Sequence, residues 1–352
     1  MKPGNHLLWL ILAGIGLQSC MTSTTLQVLQ PAEMRIPEHI TTIATIDRSK
    51  PSSGFINVIE GLFTGEAIGQ DKRGRLYALD GLTHSLTRTP RFQVKSTDIE
   101  LEGTRTANFM AEPIAWSEIE SICQRYDADA VLAIEQYDSD AIVTTRTFQE
   151  KYSDKEGEKQ SRTIHEAIAT LDVTIGWRLY DPANKVIEDE FSVYLDETYA
   201  AEGDREKQAR ANLPDPVSRS FNLSYNAGQR YGMRIAPVWI TVPRSFFPRG
   251  KGIYQDRMKQ AARYVKGGNW EEAIGIWTEL VDIADPKTAG RAAHNLAIAS
   301  ERIGKLEAAV EWAEKAWFDF GIKSSRNYLG VLRNRIEDDR RVRSQLPTST
   351  IP

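Results

Sequence analysis

A chain of 352 residues that is 41% hydrophobic and 26% charged has the composition of an ordinary folded protein with room for two domains, which excludes wholesale disorder. Its formal net charge of −4, taken to −5 if Lys2 leaves with the first nineteen residues, gives no electrostatic footprint for DNA or RNA. Aromatic and basic residues do interleave at Arg244 to Arg249, but two arginines around a Phe pair read as a packed linker, so no nucleic-acid partner is expected.

The first elements are a targeting segment. Lys2 precedes an uncharged stretch from Leu7 to Leu17, too short to span a hydrocarbon core, which needs about twenty residues. Leu17-Gln18-Ser19-Cys20 then resembles a bacterial lipobox, with Gln18 departing from the usual second position. The pattern predicts a signal peptide over 1–19 and lipidation of Cys20, whose thiolate is the side-chain nucleophile suited to taking a diacylglyceryl group. Two or three acyl chains give durable attachment. Residues 20–37, rich in Thr, Gln and Pro without helical period, predict a tether. Met21, in place of an inner-membrane-retention aspartate, and the lack of an acidic run after Cys20 point to an outer-membrane lipoprotein facing the periplasm.

Residues 38–248 read as one α/β domain. A strand is expected at 40–46, a Ser-Gly-Pro loop at 49–54, a helix over 75–86 and a short strand at 92–95. A helix over 117–126 leads into Ala130 to Tyr137, apolar enough for a buried central strand. Leu171, Val173, Ile175, Trp177 and Leu179 alternate with Asp172, Thr174 and Arg178 in the period of a half-buried strand. With 142–152, and 186–195 beyond the Asp181 to Lys185 turn, it forms an antiparallel extension. A polar excursion at 201–216 and a helix to about Tyr231 follow, and Pro237 to Pro243 is expected to close the domain as an edge strand.

Residues 253–346 turn helical. Two hairpins are predicted, with Gly268 and Gly304 at their turns and Ala273 and Ala309 in their seams, both pairs 36 residues apart. That offset is close to the tetratricopeptide period, so the fold class is α+β, a small α/β layer with an antiparallel extension, followed by an all-α tetratricopeptide-like region with a capping helix from about Ser324.

Local chemistry is sparse. Of the histidines at 6, 39, 84, 165 and 294, no two stand at helical ligand spacing, and no nucleophile elbow, phosphate loop or zinc-protease motif occurs. No metal, cofactor or catalytic residue is expected. Ile119, Ile122, Cys123 and Tyr126 share a helical face, making Cys123 a buried small hydrophobe.

On Leu17 to Cys20, Pro31-Ala32-Glu33, Ala128-Asp129-Ala130, Ala236-Pro237-Val238-Trp239, Trp270-Glu271-Glu272-Ala273 with Trp277, and Asn295-Leu296-Ala297 through Trp312-Ala313, the chain resembles an uncharacterised Bacteroidota lipoprotein family with a carboxy-terminal tetratricopeptide-like region. The α/β part also looks like periplasmic domains of curli-secretion and penicillin-binding-protein-activator lipoproteins, an analogy of fold alone. The expectation is a lipid-anchored envelope adaptor binding an envelope protein through its repeats, without catalysis. Two alternatives stand beside it, an envelope hydrolase with a dispersed site in the α/β domain and an oligomeric assembly subunit. By repeat phase the ligand-facing positions are Lys259, Arg291, His294, Asn295 and Arg302, with Met258, Ala262, Lys266 and Ile298 among them. Met258 and Ala262 stand where a carboxylate clamp would have a lysine and an asparagine.

Overall fold

A computed structural model of the chain describes residues 21–50, 70–104 and 109–347; the expected signal peptide, Cys20 and most of the 49–54 loop lie outside them. The described residues divide into two compact units, one drawn from 31–238 with 342–347, the other from 21–30 with 239–341.

The first described element is β1 (Thr22–Gln30), a strand where composition suggests a tether. Leu26 and Val28 are buried while Thr25 and Gln27 are exposed, so the segment has the period of two that marks a strand and only lacks a helical one.

The α/β unit follows with β2 (Thr42–Lys50), α1 (Gln70–Leu86), β3 (Gln93–Glu102), α2 (Trp116–Tyr126), β4 (Ala130–Ser153), β5 (Lys159–Asp181), β6 (Val186–Gly203), α3 (Glu206–Asn212) and α4 (Pro216–Ile235). The sheet order is β3-β2-β4-β5-β6, with β2 parallel to β3 and β4, and with β4, β5 and β6 antiparallel. Strand residues alternate between two cores. Ile43, Leu132, Ile134 and Leu179 pack with Leu82 of α1 and Ala227 and Tyr231 of α4, whereas Ala44, Ile46, Val131, Ala133 and Tyr180 pack with Ile119 and Ile122 of α2. Burial on both faces explains why the start of β4 reads as an unbroken apolar run. The expected strands at 130–137 and 142–152 are one strand, with a register shift between Ile134 and Gln136. The polar excursion at 201–216 holds the end of β6 and the short α3.

Helices α1 and α4 meet backbone to backbone. A Cβ on Gly228 would lie 1.9 Å from the Ala78 carbonyl oxygen, and one on Gly81 1.9 Å from that of Tyr225. Only glycine permits this approach.

β7 (Val238–Phe246) does not close the α/β sheet; it pairs with β1 in a separate two-stranded sheet. Proline correctly marks an edge strand, but the choice of sheet depends on β1, more than two hundred residues away.

After a 3-10 turn at Gly252–Tyr254 come α5 (Gln255–Lys266), α6 (Trp270–Ile283), α7 (Pro286–Arg302), α8 (Leu306–Phe318) and α9 (Lys323–Gln345). The two hairpins repeat with a period of 36 in structure as in sequence. Gly268 and Gly304 take positive φ of 82° and 75° at the turns, and Ala273 and Ala309 are both fully buried. Leu26, Val28 and Phe246 of the strand pair share the core of these helices with Trp277 and Leu296. The chain therefore has an α/β region with a mixed sheet and a carboxy-terminal all-helical region.

Candidate functional site

Helix α5 is amphipathic by position. Met258, Ala261, Ala262 and Val265 are buried, while Lys259, Arg263 and Lys266 stand four and three residues apart along its outer side. These three cations, with Arg249 and Arg291, surround a cavity of about 660 Å³ whose wall also includes Met21 and Thr22. Among the described residues, no carboxylate lines it.

The five cations differ in their partners. The guanidinium of Arg291 donates to the Arg249 carbonyl oxygen at 2.8 Å and lies over the Phe247 ring, 5.2 Å from its centroid. Lys259 pairs with Asp256 at 3.1 Å, but that carboxylate is 91% exposed and neutralises it only weakly. Among the described residues, Arg249, Arg263 and Lys266 form no ion pair, whereas nearby Arg244 grips Glu301 through two nitrogens at 2.6 and 2.7 Å. A concave surface with this excess of positive charge concentrates anions, and guanidinium groups present forked donors to carboxylate or phosphate.

The structure brings together only part of the expected set. Lys259 and Arg291 line the cavity, and Cys20 lies outside the described residues. Arg302 is on the surface with its guanidinium 5.1 Å from the Trp270 centroid and does not line the cavity. His294 and Asn295, expected to face a ligand, are buried and fully engaged by the chain itself. The His294 ring contacts Ser325 Oγ at 2.8 Å and the Ser245 carbonyl oxygen at 3.1 Å, and burial pushes its pKa down to about 4, so it is neutral near pH 7. Asn295 holds both backbone polar groups of Phe247. Met258 and Ile298 are also buried. The correction has a simple cause: residues 245–250 run across the α7 face that phase alone would leave to a ligand.

Repeat phase does not reach Arg249 and Arg263. Arg263 is nonetheless legible in the sequence, since it continues the Lys259 stripe by one turn. Arg249 is not, because its place depends on Phe246 and Phe247 burying themselves among the helices.

Buried carboxylates of the α/β unit are already paired. Asp47 Oδ2 accepts from Arg75 Nε at 2.8 Å, and Glu135 accepts from Arg48 at 2.9 Å and from the Tyr180 hydroxyl, with Arg178 at 3.7 Å. Desolvation pushes the Glu135 carboxyl up and the Tyr180 phenol to about 12. Burial likewise raises the Cys123 thiol to about 11, which leaves little thiolate at neutral pH. Among the described residues, no helix is long and apolar enough to cross a membrane.

Residues 40–247 match the family described as domain of unknown function DUF8603, and residues 259–334 match a second, DUF6340. No curated protein matches. A solved homolog of neuraminyllactose-binding hemagglutinin from Helicobacter pylori aligns at 12% identity with a TM-score of 0.26, over 57% of this chain and 87% of its own. Two structures of a PelC dodecamer from Paraburkholderia phytofirmans align at 12% identity with TM-scores of 0.20 and 0.21, over 59% of this chain and 96% of theirs.

Proposed function

The chain belongs to the family of the domain of unknown function DUF8603, and we propose that this member is a lipid-anchored cell-envelope adaptor that binds a protein partner through its carboxy-terminal helices. The anchor is Cys20, the location the periplasmic face of the outer membrane, and the helical unit is tetratricopeptide-like. What supports the last point is the repetition of whole hairpins at 36 residues, down to the caps: Asn269 and Lys305 have φ, ψ of −85°, 69° and −84°, 71°.

One observation carries the binding role, the basic cavity with three cations that lack ion-pair partners among the described residues. A carboxylate-rich segment of the partner supplies the missing charge. Its seat is the open side of α5; the α7 face is occupied by residues 245–250.

The test is crosslinking in membranes followed by capture of the wild-type chain and of the Arg263→Glu, Lys266→Glu variant. Both positions are exposed, so the fold persists. Arg291 is left intact because it is only 9% exposed and holds the Arg249 carbonyl. A discrete crosslinked partner lost in the variant supports the role, and an unchanged pattern at low ionic strength, where exposed charges act most strongly, ends it. Separately, Cys20→Ser should abolish acyl labelling and move the chain to the soluble fraction once salt screens the exposed charges.

A further inference from the structure

The cavity wall includes Met21, the residue that follows Cys20, and β1 begins one residue later at Thr22. Residues 22–30 are therefore no spacer. They are an extended strand paired with β7, and Leu26 and Val28 belong to the helical core. Successive Cα atoms lie about 3.8 Å apart, so an acyl group on Cys20 is attached one residue away from the cavity wall. The span of one residue is shorter than the Debye length of about 8 to 10 Å, over which exposed charges feel an anionic membrane surface at physiological salt.

We propose that the cavity seats the phosphate of an anionic phospholipid headgroup from the membrane that carries the anchor, and that this lipid competes with the partner's acidic segment for Arg249, Arg263 and Lys266. The proposal rests on the lipid-anchor reading above and adds a regulator to the same site. Three features carry it: the cations have no ion-pair partner among the described residues, the cavity of about 660 Å³ has room for a headgroup, and its wall starts beside the lipidated residue. Arg249 and Arg263 supply forked donors to phosphate oxygens, and Lys266 acts as a point charge. Direct anchoring keeps the cavity at the headgroups, where a long tether would have let it drift away. A partner must then displace lipid, which favours partners whose acidic segments themselves lie at the membrane surface.

The experiment uses the full chain carrying Cys20→Ser, unlipidated, with vesicles of phosphatidylcholine alone or with phosphatidylglycerol added. Binding should be at least about tenfold stronger to the anionic vesicles and should weaken as salt rises. Arg263→Glu with Lys266→Glu should abolish that preference with an unchanged circular dichroism spectrum. Lys155→Glu with Lys159→Glu, exposed positions in the α/β unit, should keep it. Equal binding to both vesicles overturns the proposal, as does equal loss in the two charge-reversed variants. Binding of inorganic phosphate by the chain without vesicles, together with no preference for the anionic vesicles, assigns the cavity to free phosphate, and that also overturns it. Failure here is distinct from failure of the adaptor role. If vesicle preference is absent while a protein crosslink still depends on Arg263 and Lys266, the lipid proposal falls and the adaptor stands.

Discussion

The side chain of Asn295 pairs with the backbone of Phe247 as a strand would, its Oδ1 accepting the Phe247 N–H and its Nδ2 donating to the Phe247 carbonyl, both at 2.8 Å. This buried amide fastens residues 245–250 to α7 and so sets where Arg249 stands.

Asn295→Leu keeps the volume and removes both bonds, leaving two buried backbone groups without partners. A loss of about 3 kcal/mol is expected in urea unfolding, with faster tryptic cleavage after Arg249 in the native state. An unchanged midpoint and unchanged cleavage would mean that apolar packing of Phe247 alone holds the segment.

His294 predicts acid sensitivity. Its pKa is depressed from 6.5 to about 4 by burial, so between those values the unfolded chain binds the proton and the folded chain does not. The stability held by the neutral ring is complete above about pH 6.5 and is lost as pH falls toward 4, by roughly 3 kcal/mol over that window. Thermal melts of wild type and His294→Gln across pH 7 to 4 should diverge, the variant showing the shallower dependence. Parallel slopes would show that other groups govern the acid transition.

Two glycines should respond in opposite directions. Gly228→Ala drives a methyl into the Ala78 carbonyl and is expected to destabilise the α/β unit by at least about 2 kcal/mol. A methyl added at Gly275, in α6, would meet nothing within 4 Å, so Gly275→Ala should stabilise by up to about 1 kcal/mol through helix propensity. Matched denaturant midpoints for the two variants would refute the backbone contact between α1 and α4.

Ala273 and Ala309 occupy equivalent, fully buried seams. Replacing either with Glu forces a carboxyl between packed helices, and a loss of roughly 3 to 5 kcal/mol is expected, seen as weaker near-ultraviolet dichroism and protease sensitivity confined to the helical unit. Native-like signals from both variants would show that the hairpins pack by other faces.

What the sequence determined by itself is what local periodicity encodes. The alternation of Leu171 to Leu179, the amphipathic stripe of α5 and the 36-residue spacing of Gly268 and Gly304 each fix an element and its inward face, because side-chain direction follows strand and helix geometry. The α/β region, the helical region and the Lys259 stripe were legible on that basis. Tertiary structure decided the long-range pairings. Residues 22–30 read as a tether because their few polar-flanked apolar residues become a strand only beside β7, and β7 leaves the α/β sheet for the same reason. His294 and Asn295 lie at ligand-facing phase, yet residues 245–250 bury them, since a helix face shows only where it is amphipathic and not which segment of its own chain will cover it. The cavity depends on both outcomes: Met21 reaches it by way of β1, and Arg249 by way of Phe247.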